Sequence, residues 1–208
     1  EKKKLLPVLE KKAAEMTRLR TDAAAGLEER IISELAYLDM KGVTFSVEIL
    51  PVQGGFTPRG ADRVEFLIST NKGEPLKPLA KIASGGELSR VMLALKALLA
   101  RRMQLPTILF DEIDTGVSGR IADAMGEIIC TLAETMQVVD ITHLPQVASK
   151  GSTHFVVYKR DGETHIARLT PDERTTEIAK MLSGSEVTEA AMTQARILLG
   201  GKQSPSVA

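Results

Sequence analysis

Thr107-Ile108-Leu109-Phe110-Asp111-Glu112 is the stretch that decides the fold: an unbroken apolar run closed by two adjacent carboxylates. A short apolar run of this kind reads as a strand covered on both faces, as in a parallel sheet. Residues 118 to 136 carry a helical pattern, and Val138 to Thr142 repeats the buried-strand pattern. Strand, helix and strand at this spacing make a βαβ unit with parallel strands. Ligands in open α/β sheets sit beyond the carboxyl ends of such strands, so the topology brings Asp111, Glu112 and His143 to one edge.

Working outward, residues 1 to 40 read as a charged helix with an apolar stripe at Leu5, Leu9, Met16, Leu19, Ala23, Leu27, Ile31, Leu35 and Leu38. Steps of three, four and seven are those of an amphipathic or coiled-coil helix. Seven Lys/Arg against three Asp/Glu in its first twenty residues read as a solvated face rather than a nucleic-acid patch. Val43, Phe45, Val47 and Ile49, then Val64, Phe66 and Ile68, alternate with period two, giving two antiparallel strands joined by a loop from Pro51 to Asp62. A Pro/Gly-rich segment from Asn71 to Pro78 leads to a helix from Leu88 to Arg102. Past the βαβ unit, residues 155–158 and 165–169 flank Asp161-Gly162 as a hairpin. Helices at about 174–182 and 186–199 close the fold, and the tail from Gly200 is expected to fray.

The 208 residues carry 27 Lys+Arg and 27 Asp+Glu, so bulk positive charge does not hold this chain to nucleic acid. Hydrophobic residues at 43% provide for a real core, while aromatics at 3% disfavour base-stacking platforms. The single cysteine, Cys130, excludes an internal disulfide and a cysteine-rich zinc site, and fits a reducing cytoplasm. No apolar run reaches membrane-spanning length and no signal peptide is read, which gives no membrane partner. Starting at Glu1 without Met, the chain reads as a piece of a longer protein.

Adjacent carboxylates at a strand end are costly to bury without a cation or donor, although solvation in the exit loop is the simpler reading of a lone pair. Asp111 suits Mg2+, which takes one or two carboxylates and completes its octahedron with phosphates and waters. Glu112 suits a general base for an attacking water. His143 follows a buried strand and reads equally as a functional or a structural residue, while His154, His165 and Cys130 read as structural. Ser84-Gly85-Gly86-Glu87 opens a helix. It reads either as a capping box, Ser84 with Glu87, or as a cradle in which two glycines let a phosphate approach the backbone amides.

In order, these pieces resemble the motif set of the ATP-binding-cassette ATPases. Ala83 to Glu87 resembles the signature motif and Thr107 to Glu112 the Walker B strand with its catalytic glutamate, while Asp114 falls at the D-loop aspartate and His143 at the switch histidine. The longer runs Lys81 to Arg90, Phe110 to Gly119 and Thr142 to Ala148 are similar to the RecN family of bacterial DNA double-strand-break repair ATPases, an SMC-like group, as are Gly60 to Phe66 and Leu182 to Thr188. The resemblance covers about residues 40 to 199. It implies an α/β fold: the C-terminal lobe of an ABC-type ATPase head, a mixed sheet flanked by helices behind a coiled-coil-like leading helix. The domain expectation is therefore residues 1–40 as the end of a coiled coil, 41–199 as the lobe, and 200–208 as a flexible tail.

The sequence has no Gly-x-x-x-x-Gly-Lys-Ser/Thr phosphate loop; Gly200-Gly201-Lys202 runs into Gln203. In this family that loop and the Q-loop glutamine belong to an N-terminal lobe across the coiled coil, so neither Gln53 nor Gln146 takes the latter role. The resemblance implies ATP and Mg2+ as cofactors. Ser84, Gly85, Gly86, Glu87 and Asp114 would meet the nucleotide, Asp111 would help hold the metal, Glu112 would activate water and His143 would sense the γ-phosphate. The implied partners are the protein's own Walker A lobe, a second head in a homodimer, and DNA, in the cytoplasm at the nucleoid. A non-catalytic dimerisation scaffold and a transporter-type ATPase subunit are the alternatives. The charged helix and paired strands before the signature disfavour the transporter.

Overall fold

A computed structural model describes residues 2–82, 84–184 and 186–200. It divides into two compact units, one ending at Leu95 and the other starting at Lys96.

The first unit opens with α1, Lys2–Tyr37. Its stripe has two fates: Leu5, Leu9, Met16 and Leu19 are exposed, while Ile31, Leu35 and Leu38 are fully buried. The buried end lies against β1, Thr44–Pro51, which pairs antiparallel with β2, Asp62–Ser69, in register from Thr44↔Ser69 to Pro51↔Asp62. Polar contacts fasten α1 to this sheet. Thr17 Oγ1 donates to the Asp62 carboxylate at 2.8 Å, Arg20 pairs with the same carboxylate at 3.1 Å, and the Glu28 carboxylate accepts the Val47 N–H at 2.7 Å. That last bond satisfies a backbone donor on the edge strand, where no neighbouring strand offers an acceptor. A third strand, β3, Lys77–Pro78, pairs with β2 inside the segment that reads as a Pro/Gly-rich loop. Proline reads as a breaker there, but at a sheet edge its missing N–H leaves no ladder bond unmade. A 3₁₀ turn, Leu79–Lys81, leads towards α2, Gly85–Met103.

In the second unit β4, Thr107–Asp111, and β5, Gln137–Ile141, are parallel, in register from Thr107↔Gln137 to Asp111↔Ile141, and joined by α3, Gly119–Ala133. This is the βαβ unit expected from sequence. The expectation that both strands are buried on two faces is corrected. Phe110 is fully buried, but Leu109, Val139 and Ile141 are 57%, 43% and 50% exposed. Side chains alternate along a strand, and the core of this unit covers one side of the pair only. Among the described residues β1-β2-β3 and β4-β5 pair as separate small sheets, with a two-stranded hairpin further along the chain.

α3 buries Ala122, Met125, Ile128, Ile129 and Leu132, and its Gly126 allows close approach to α4, Pro145–Ala148. A Cβ on Gly126 would stand 3.0 Å from the Lys150 side chain and 3.5 Å from Val147 Cα. β6, Phe155–Arg160, and β7, Glu163–Arg168, make the expected hairpin, with Asp161 and Gly162 both at positive φ, 53° and 83°, as a mirror-type two-residue turn requires. α5, Pro171–Ser183, and α6, Glu189–Leu198, pack through Ile178, Ala179, Ala191 and Ala195. α5 starts earlier than its apolar spacing indicates, because Thr170 and Glu173 form a capping box and Pro171 fits the first turn. Of the expected tail, 201–208 lies outside the described residues. Among the described residues no helix is long and apolar enough to cross a membrane.

Candidate functional site

The carboxyl ends of β4 and β5 lie level, because Asp111 is in register with Ile141. Asp111 and Glu112 are both exposed. Glu112 leaves the strand at φ 46°, in the left-handed region. That conformation costs a non-glycine residue about 1–2 kcal/mol and persists where surrounding bonds hold it. Here the Glu112 N–H donates to Ile141 O at 2.9 Å, and its carbonyl accepts Thr115 N–H at 3.2 Å and Thr115 Oγ1 at 2.9 Å. The backbone of Glu112 is thus pinned to the end of the neighbouring strand while its carboxylate stands in solvent.

Asp114 turns the other way. It is 1% exposed, and its Oδ2 accepts a hydrogen bond from Thr142 Oγ1. Thr142 Oγ1 also accepts the Leu144 N–H at 2.9 Å, which fixes the turn carrying His143. The Asp114 Oδ1 lies 4.0 Å from Nδ1 of His143, whose side chain is 62% exposed. Asp114, expected from the resemblance to meet a nucleotide, is in this chain buried and bonded to Thr142. The structure thus brings together the tips of β4 and β5 with Asp111, Glu112, Asp114 and His143 around them.

Asp140 escaped the sequence reading. It sits on β5 in register with Phe110, at a half-buried position. Burial first, and then the charge of Asp114, push its carboxyl up from 3.8 to about 7. The available signal was a carboxylate at an inward step of an otherwise apolar strand. The unfolded chain releases this proton near pH 4, whereas the folded chain holds it until about 7. The folded state therefore binds more protons across that window, and stability falls as pH rises through it and levels off above. Urea midpoints of Asp140→Asn, relative to those of the parent, should rise from pH 4 to pH 7 and then stay constant; a pH-independent difference contradicts this.

In the first unit α2 begins at Gly85, and the Glu87 N–H donates to Ser84 Oγ at 3.4 Å, the capping half of the reading. A Cβ on Gly85 would meet nothing within 4 Å, so the amides at this helix start are open to an approaching group. Ser84 and Glu87 line a cleft with Ser69, Asn71, Lys77 and Lys81. Ala83 lies outside the described residues.

No group of three His, Cys, Asp or Glu among the described residues makes a metal cage. An exposed lone Asp111 nevertheless fits Mg2+, which keeps waters and takes its other ligands from phosphates. His154 is half-buried and held below the usual histidine range, by burial first and then by the Arg174 charge. His165 stacks on Tyr158 at 5.5 Å, and Cys130 Sγ contacts Lys150 O at 3.5 Å.

The chain is 42% identical to the DNA repair protein RecN of Halalkalibacterium halodurans over 92% of its own length and 35% of that protein's. It is 43% identical to the Bacillus subtilis protein of the same name, covering 94% of itself and 37% of the relative. The chain is the C-terminal part of a RecN-family protein. It spans about a third of the length of the curated relatives it matches. No family model matches it. Among solved structures, the fold of this RecN-family chain is that of SMC ATPase heads. An Smc head with an extended coiled coil from Pyrococcus furiosus matches 87% of the chain and 44% of that one, at TM-score 0.61 and 17% identity. An SMC ATPase chain matches 82% of this one and 99% of itself, at TM-score 0.59 and 18% identity.

Proposed function

We propose that this chain is the C-terminal half of an ATPase head whose parent hydrolyses ATP during repair of DNA double-strand breaks. The carrying observation is Glu112, an exposed carboxylate held in a left-handed conformation at the end of a parallel strand, one strand away from His143. Backbone strain of this kind gathers at working sites. Asp111 would hold Mg2+ together with nucleotide phosphates; the metal neutralises phosphate charge when bound. Glu112 accepts a proton from the attacking water, and His143 donates a hydrogen bond to the γ-phosphate. Ser84, Gly85, Gly86 and Glu87 would meet a nucleotide cradled by the phosphate loop of a second head. Two heads would then close around two ATP molecules.

Residues 1–40 would belong to the coiled coil, 41–199 to the lobe and 200–208 to a tail. The parent's Walker A lobe would cover the apolar face formed by Leu109, Val139 and Ile141, and the rest of the coiled coil the stripe Leu5, Leu9, Met16 and Leu19. Opening and closing of the heads would pass through α1 to DNA, in the cytoplasm at the nucleoid. The test is ATP-driven dimerisation of the full-length protein, followed by sedimentation. Ser84→Arg fills the open approach to α2 and should abolish the ATP-induced dimer while leaving the monomer folded. An undiminished dimer in that variant contradicts the reading.

A further inference from the structure

Arg90, in the second turn of α2, is half-buried and holds two carbonyls at once. Its Nε donates to Gly86 O at 3.0 Å, inside the run Ser84 to Glu87. Its Nη1 donates to Leu38 O at 3.1 Å, 52 residues back along the chain. All of these residues lie within the first unit.

Leu38 follows the last residue of α1 and is fully buried, so water does not satisfy its carbonyl. The chain closes the helix at this point. The Met40 N–H reaches back to Leu35 O at 2.9 Å, the Asp39 N–H bonds Ala36 O at 3.2 Å, and Asp39 stands at φ 63°. A helix C-terminus favours positive charge, yet α1 has no basic residue in its last turn. Arg90 brings that charge across from α2. At the other end of the link, Gly85 and Gly86 leave the first turn of α2 with little stiffness of its own. A guanidinium offers several donors in one rigid plane, which a lysine ammonium on its flexible stem does not reproduce.

We propose that Arg90 is a positioning residue that couples the start of α2 to the end of α1. One side chain grips the Gly86 carbonyl and the buried Leu38 carbonyl, so a group that orders Ser84 to Glu87 also stiffens the turn in which α1 ends. Energetic coupling travels through such contiguous hydrogen bonds between rigid elements. This rests on the reading of Ser84 to Glu87 as a segment that meets a nucleotide, and names the residue through which that contact reaches α1.

The test is hydrogen exchange, read by mass spectrometry, on the full-length protein with Mg2+, with and without a slowly hydrolysed ATP analogue. In the parent the analogue should slow exchange at residues 85–88 and also at residues 38–40, the latter by about fivefold or more, the low end of a typical coupling. In Arg90→Lys, which keeps the charge and loses the planar fork, the slowing at 85–88 should persist and that at 38–40 should vanish. Arg90→Gln, planar but uncharged, provides the same readout should the lysine variant be unstable. A merely structural role would raise exchange at 38–40 equally in both states and leave the response to the analogue intact. A response at 38–40 that survives both substitutions, or its absence in a parent that responds at 85–88, overturns the coupling alone. A parent that shows no response at 85–88 overturns the nucleotide reading of that segment and the coupling with it.

Discussion

Glu112→Gln in the full-length protein lowers ATP turnover by about 10²–10⁴-fold, the usual contribution of a positioned general base. ATP binding survives, because glutamine keeps the shape of the side chain and its backbone bonds to Ile141 and Thr115 do not involve the carboxylate. Heads that bind but do not hydrolyse accumulate in the closed dimer, so sedimentation with ATP should show more dimer than in the parent. Glu112→Gly provides a contrast: it removes the carboxylate and also the penalty of φ 46°, so it should be inactive and at least as stable as the parent. Parent-like turnover in Glu112→Gln removes this residue from the mechanism.

Phe110→Ala destabilises the second unit by about 3–5 kcal/mol, the range for removing a fully enclosed phenyl ring. Phe110 has no exposed surface, and it neighbours the site through Asp111. One residue earlier on the same strand, Leu109→Ala should cost below about 0.5 kcal/mol in this chain, since Leu109 is 57% exposed. In the full-length protein the second value should grow if the Walker A lobe covers that face as proposed. Urea midpoints for the two variants in both lengths of protein measure this. Equal costs in the short chain would mean that the open face is already covered.

The βαβ unit was legible because local pattern and tertiary context agree there. Apolar strand, amphipathic helix and apolar strand have one compact solution, and it places Asp111, Glu112 and His143 at one edge. The open face was misread for a physical reason. A continuous apolar run marks a strand destined for cover on both sides, but not whether this chain provides the second cover. β3 was missed because proline reads as a breaker, and α4 because four residues carry too little periodicity. Within the site, residue types were legible and directions were not. Asp114 was read as the D-loop aspartate, and only the fold shows that its carboxylate is buried against Thr142. Asp140 was missed because an acid within an apolar strand gains meaning only from what lies across the register.

On the proposed reading this chain holds the hydrolytic half of a head whose phosphate loop lies elsewhere in the parent. Magnesium-dependent ATP turnover, measured side by side on the 208-residue chain and on the full-length protein, tests it most directly. Turnover is expected in the full-length protein, abolished by Glu112→Gln, and none above background in the short chain. Robust magnesium-dependent turnover by the short chain alone, or none by the full-length protein, contradicts it.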